Sequence, residues 1–142
     1  MNAKIKRIDT NLPLPQYETK GSVGMDLMAR ETTSIASKTI SLIPSNIIIE
    51  TPPGYMFLIV PRSSTPRKKG LSFPHSIGII DQDYCGEKDE ILIQVYNFTN
   101  KEIIVERGEK IAQGIFVRVD KIKIEEIQTI NKISRGGFGS TG

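Results

Sequence analysis

Asn46-Ile47-Ile48-Ile49-Glu50-Thr51-Pro52-Pro53-Gly54-Tyr55-Met56-Phe57-Leu58-Ile59-Val60-Pro61 holds two apolar runs on either side of a Pro-Pro-Gly break. Both runs are rich in β-branched residues, which lose χ1 freedom in a helix and pack well on a pleated surface. The break is a turn signal, and Pro61, which has no N–H to donate, ends the second run. The stretch therefore predicts two strands joined by a turn.

The same grammar continues along the chain. Ile91 to Phe98 closes at Thr99-Asn100, Glu102 to Glu106 resumes, Arg107-Gly108-Glu109 turns, and Ile111 to Val119 runs on. Lys121-Ile122-Lys123-Ile124-Glu125 alternates with period two, which predicts a half-buried strand. Nothing reads as a long helix, an internal repeat or a linker. The prediction is an all-β domain over residues 1–133, a jelly-roll-like distorted β-barrel or sandwich. A flexible Gly-rich arm over residues 134–142 follows it.

Composition fits that reading. A chain of 142 residues is one domain with room for a real core. Isoleucine is the commonest apolar residue and tryptophan is absent. The single cysteine, Cys85, rules out an internal disulfide, which fits the cytoplasm or another reducing compartment. The charged N-terminus has no apolar segment behind it, so neither a targeting signal nor a membrane partner is expected. A net charge of +3 is too mild to predict nucleic-acid binding.

Five segments place glycine, acid or hydroxyl groups where a plain sheet does not need them. Gly21-Ser22-Val23-Gly24-Met25-Asp26-Leu27 sets a carboxylate among apolar neighbours, as a turn cap or a buried acid with a task. Pro61-Arg62-Ser63-Ser64-Thr65 brings a guanidinium and hydroxyls to a strand end, suited to phosphate oxygens. Gly78-Ile79-Ile80-Asp81-Gln82-Asp83-Tyr84-Cys85-Gly86 reads as a hairpin with an acid and a phenol at its bend. Gly108-Glu109-Lys110-Ile111-Ala112-Gln113 is a turn feeding a strand. The last segment, Ser134-Arg135-Gly136-Gly137-Phe138-Gly139-Ser140-Thr141-Gly142, is too glycine-rich to hold structure unaided. It carries what a lid over a nucleotide polyphosphate needs: an arginine, a ring and hydroxyls.

In this order the five segments resemble the five motifs of the trimeric dUTPase family, and the resemblance spans Gly21 to Gly142. It implies a homotrimer with active sites between subunits and Mg²⁺-assisted hydrolysis of dUTP to dUMP and pyrophosphate. Such an activity keeps uracil out of DNA and supplies dUMP for dTMP synthesis. By the resemblance, Asp81 is the catalytic acid that deprotonates the attacking water, and Asp26 holds Mg²⁺ through water. Arg62, Ser63, Ser64 and Gln113 meet the phosphates. Tyr84 packs under the deoxyribose and leaves no room for a 2′-hydroxyl. The backbone from Ser76 to Tyr84, with Gly78 and Ile80, reads the uracil edge, and His75 stands where relatives have an asparagine. Arg135 binds the γ-phosphate, Phe138 stacks on uracil, and Gly139, Ser140 and Thr141 add donors.

The sequence departs from the family pattern in its short spacer after Arg135, in Ser64 where glycine is usual, and in His75. Two other functions stay open at this level. A dCTP deaminase of the same fold needs a glutamate near the pyrimidine, for which Glu87 is the nearby candidate. A non-catalytic nucleotide-binding regulator would not need Asp26 and Asp81 together. Lys121-to-Glu125 aside, Tyr96, Phe98 and Phe116 read as core or subunit interface, Cys85 as a packing residue, and Arg67-Lys68-Lys69 as a solvated turn.

Overall fold

A computed structural model describes residues 2–137 and Gly139. Its strands are β1 (Lys4–Arg7), β2 (Met25–Met28), β3 (Thr33–Ile35), β4 (Ile40–Pro44), β5 (Ile47–Glu50) and β6 (Tyr55–Pro61). After the short helix α1 (Thr65–Lys69) come β7 (Leu71–Ser72), β8 (Gly78–Ile80), β9 (Leu92–Asn97), β10 (Ile103–Val105) and β11 (Lys110–Arg118). Pairing is antiparallel throughout, in a four-stranded sheet β2-β11-β6-β8, a three-stranded sheet β4-β9-β7, and the pairs β1-β5 and β3-β10. The all-β, jelly-roll-like expectation holds.

The core lies between these sheets. Leu27, Ile35, Ile43, Ile49, Phe57, Ile93, Val95 and Ile111 are fully or almost fully withdrawn from water and pack as one cluster. The two decisive runs form β5 and β6, with Pro52-Pro53-Gly54 turning between them and Gly54 at φ +78°. On β11 the register with β2 slips between Lys110 and Ala112. Such a bulge breaks strict alternation, so Ile111 and Ala112 both face inward. Farther along β11, Gly114 lets Phe57 approach, since a Cβ there would lie 2.1 Å from the ring. Phe116 packs on the same ring at a centroid distance of 4.9 Å.

Two sequence expectations change. Lys121-to-Glu125 is not a strand: Ile124 is 92% exposed and the segment pairs with nothing described. Period-two alternation supplies an apolar edge but not a partner, and a lone strand has no ladder to stabilise it. The chain leaves the sheet after Val119, whose N–H donates to the Gly54 carbonyl. The segment from Gly78 to Gly86 is not a self-paired hairpin either. β8 pairs back onto β6, while the next strand, β9, pairs with β4 and β7. The polar stretch from Asp81 to Asp89 contains no run able to return along β8, so it crosses to the other sheet instead.

Candidate active site

Asp26 lies on β2 and is 4% exposed, so its charge must be paired. The Arg62 Nε stands 3.0 Å from Oδ1, and Gln113 Nε2 donates to the same oxygen at 3.3 Å. Lys110 Nζ lies 3.3 Å from Oδ2. The sheet register explains the meeting: Asp26 is opposite Gln113 on β11, and Gln113 is opposite Val60 on β6, two residues before Arg62. Arg62 is aimed by a second bond, from Nη1 to the Lys110 carbonyl at 3.2 Å. Of the two readings left open for Asp26, a turn cap or a buried acid, its burial on β2 selects the buried acid, and Arg62 and Gln113, both expected at the phosphates, lie against it.

Lys110 is a member the sequence reading passed over. It bridges Asp26 and Glu18, and the hydrogen bond to Glu18 raises its pKa above the ordinary lysine value. Its only signal was its place between Glu109 and the β11 run. Glu18 gave none, because it comes from irregular chain. A small hollow of about 70 Å³ beside Asp26, lined by Glu18, Met28 and Lys110, has room for water but not for a triphosphate.

Past Pro61, the chain forms α1 with Pro66 in its first turn, where the missing N–H costs nothing. Ser64 flanks the helix at φ −89°, a right-handed conformation in which serine is as comfortable as glycine. Ser63 is exposed. Thr65 is buried and its Oγ1 donates to the Ile111 carbonyl at 3.0 Å, tying the loop to β11. Arg67-Lys68-Lys69 forms the last turn of α1 rather than a free turn, and Lys69 pairs with Glu109 at 2.8 Å.

Asp81 follows β8 directly and is exposed. The Tyr84 N–H donates to the Asp81 carbonyl at 3.3 Å, its hydroxyl donates to the Glu90 carbonyl at 3.3 Å, and Arg30 grips the Glu90 carboxylate through two bonds. A cleft of about 410 Å³ runs beside the loop, lined by Tyr55, Ile79, Asp81, Gln82 and Lys121 among others. His75 is exposed, stacks on Phe73 at 6.0 Å between centroids, and lies over Gly78. Glu87, the deaminase candidate, pairs with Lys6, which lowers its pKa by hydrogen bonding. Cys85 is half-buried, with its Sγ 3.7 Å from the Gln82 carbonyl.

Within one chain these groups form two separate halves. Asp26 and the Asp81 loop occupy opposite edges of the four-stranded sheet, about 14 Å apart at usual strand spacing. Along β6, Gln113 is level with Val60, whereas extending the β8 register sets Asp81 level with Met56, about 13 Å away. Arg135 is exposed in the terminal arm, where Gly136 and Gly139 take positive φ of 76° and 95°. Phe138, Ser140 and Thr141 lie outside the described residues.

The profile of the dUTPase family matches residues 10–142. Deoxyuridine 5′-triphosphate nucleotidohydrolase of Finegoldia magna is 40% identical over 144 residues, covering 98% of this chain and 99% of its own. The enzyme of the same name from Hydrogenobaculum is also 40% identical, over 145 residues, covering 100% and 99%. The crystal structure of dUTPase from Streptococcus mutans superposes with a TM-score of 0.77 at 33% identity, covering 84% of this chain and 98% of that one. A mutant of Staphylococcus bacteriophage 80alpha dUTPase with dUpNHpp, at 21% identity, shares the fold with a TM-score of 0.85, covering 99% and 98%. A family match over residues 10–142, with relatives 40% identical over almost the whole chain, shows that this protein belongs to the dUTPase family.

Proposed function

We propose that the protein hydrolyses dUTP to dUMP and pyrophosphate, which removes a DNA precursor carrying uracil and supplies dUMP for dTMP synthesis. The observation that carries this reading is the convergence of Asp26, Arg62 and Gln113 at one end of the four-stranded sheet, in a chain with an exposed acid at the turn after β8. Asp81 accepts a proton from water as the water oxygen attacks the α-phosphorus in line. The bond from the α-phosphorus to the bridging oxygen breaks, and its electron pair leaves with pyrophosphate.

The chain's other groups bind and orient. Arg62 and Ser63 meet the phosphates, with Gln113 alongside and Ser64 in the same loop. Arg135, Phe138, Gly139, Ser140 and Thr141 close over the γ-phosphate and base as an arm of residues 134–142, excluding water. Tyr84 excludes a 2′-hydroxyl, and the backbone around Gly78 and Ile80, with His75 beside it, reads uracil against cytosine.

Among the described residues no cluster of three His, Cys, Asp or Glu side chains forms a metal cage. The single buried carboxylate of Asp26, shared with Arg62 and Lys110, fits an ion held through water and substrate phosphates, as Mg²⁺ usually is. Bound there, Mg²⁺ would supply charge neutralisation to the triphosphate.

The same geometry supports assembly. A nucleotide cannot span two half-sites at opposite sheet edges unless another copy brings the missing half, and this supports the homotrimer. Sedimentation should give three times the 15.8 kDa of one chain. No helix among the described residues is long and apolar enough to cross a membrane, and Cys85 is a free thiol, which fits a reducing compartment.

The test is pyrophosphate release with Mg²⁺ from dUTP, dCTP, dTTP and UTP by the native chain and Asp81→Asn. We expect release from dUTP alone, reduced by at least about 100-fold in Asp81→Asn, the usual worth of a general base. Ammonia from dCTP would make the protein a deaminase, and dUTP binding without turnover would make it a binder.

A further inference from the structure

We infer that Gln82 is a positioning residue for Asp81, which it holds at the turn by completing the β6–β8 ladder with its side chain. This rests on the hydrolytic reading of Asp81 given above. The register pairs Ile59 with Gly78, Leu58 with Ile79 and Phe57 with Ile80. Continued by two residues, it sets Tyr55 opposite Gln82. In an antiparallel ladder, successive residues of a strand point their N–H and C=O groups to opposite neighbours. The Gly54 carbonyl accepts from Val119 on the β11 side, so the Tyr55 carbonyl faces the β8 side.

The backbone N–H of Gln82 cannot satisfy that carbonyl, because the chain has already begun to turn. The Tyr84 N–H closes the turn on the Asp81 carbonyl at 3.3 Å. The Gln82 side chain supplies the missing donor instead: Nε2 reaches the Tyr55 carbonyl at 2.7 Å. The half-buried Gln82 thereby occupies the position that a further ladder bond would have, while releasing the backbone to bend.

The consequence falls on Asp81. Its predecessor, Ile80, is fixed by the ladder, and its successor, Gln82, is fixed by the hydrogen bond its side chain donates to the Tyr55 carbonyl. The carboxylate is exposed, so its direction depends on the backbone that carries it. Pinning both neighbours removes backbone freedom that would otherwise spread the carboxylate over several positions, and proximity effects are steep in such displacements. Aspartate or serine at position 82 would be too short to reach Tyr55 across the same gap. A methionine matches glutamine in length but donates no hydrogen bond, and a lysine reaches as far and does donate.

The experiment compares Gln82→Met and Gln82→Lys with the native chain. It measures steady-state hydrolysis of dUTP, the affinity for dUpNHpp and the melting temperature. We expect Gln82→Met to lower kcat about tenfold with KM and dUpNHpp affinity within about twofold and melting unchanged. Gln82→Lys should recover kcat to within about threefold of native. A tether that merely stabilises the loop would move melting and affinity and leave the kcat-to-KM split unchanged. Native kcat in Gln82→Met, or an equal loss in Gln82→Lys, would overturn the positioning role while leaving the hydrolytic reading intact. If the native chain itself does not turn over dUTP, the hydrolytic reading fails, and the role of Gln82 fails with it.

Discussion

Asp26 illustrates how a residue type and its burial together define a task. A carboxylate at 4% exposure is unstable without partners, and three donors surround it, Arg62 just past β6 and Lys110 and Gln113 on β11. The sequence showed an acid between apolar neighbours and left a cap or a buried acid open; strand pairing chose the buried acid. The partners matter for the energetics. Breaking a buried pair usually costs about 3–5 kcal/mol, because the orphaned charge stays buried. Here the orphans would be Arg62 and Lys110, whose side chains are 34% and 37% exposed and can hydrate. Asp26→Ala should therefore cost only about 1–2 kcal/mol in urea unfolding of the isolated chain. A loss above about 4 kcal/mol would show that Arg62 and Lys110 are shut away from water.

At the scale of elements, β6 is the hinge of the fold because it carries both sides of the four-stranded sheet. Its Phe57 lies directly over Gly114 of β11, an approach that no sequence rule of alternation foresees. A methyl group on that glycine would meet the ring at 2.1 Å, and the fully buried Phe57 has nowhere to go. Gly114→Ala should cost about 2–3 kcal/mol by overpacking, seen as a lower melting temperature. A neutral result would mean the sheet can slide apart there. Arg107, in the turn before β11, holds Asp9 at 2.5 Å, and this hydrogen bond keeps the Asp9 carboxyl below the usual carboxylate range. A depressed pKa stabilises the fold above the unfolded value and loses that contribution as pH falls through the folded one. Arg107→Ala should therefore lower the melting temperature most at neutral pH and progressively less as pH falls through the folded Asp9 value, which flattens the acid limb of the profile. A deficit that stays the same from neutral to acid pH would exclude the linkage.

For the whole molecule, the two half-sites and the exposed terminal arm set the expectation. Of residues 134–142, the described ones, Ser134 to Gly137 and Gly139, are all exposed and add almost nothing to the packed domain. On the proposed role of the arm as a lid, deleting residues 134–142 should leave the melting temperature within a degree or two while lowering dUTP turnover by at least about 100-fold. Equal turnover without the arm would remove its role as a lid. Removing Mg²⁺ with EDTA should likewise slow hydrolysis without unfolding the chain, because no described cluster builds a structural metal cage. Unfolding on chelation would instead reveal a structural ion.

The sequence by itself determined the all-β class, the strand runs around Asn46 to Pro61, and the identity of the chemical groups at the motifs. Those follow from short-range physics: β-branching, missing N–H groups and turn-forming glycines act within a few residues. It also suggested a strand at Lys121 to Glu125 and a hairpin at Asp81, and both failed for one reason. Alternation shows which side chains want burial, whereas a strand exists only when another segment offers its hydrogen-bonding edge. Tertiary structure alone supplied that edge, and with it the pairing of Asp26 with Arg62 and Gln113, the unforeseen bridge through Lys110 and Glu18, and the Gln82 bond to Tyr55. These contacts join residues far apart in the chain, where no local preference can act.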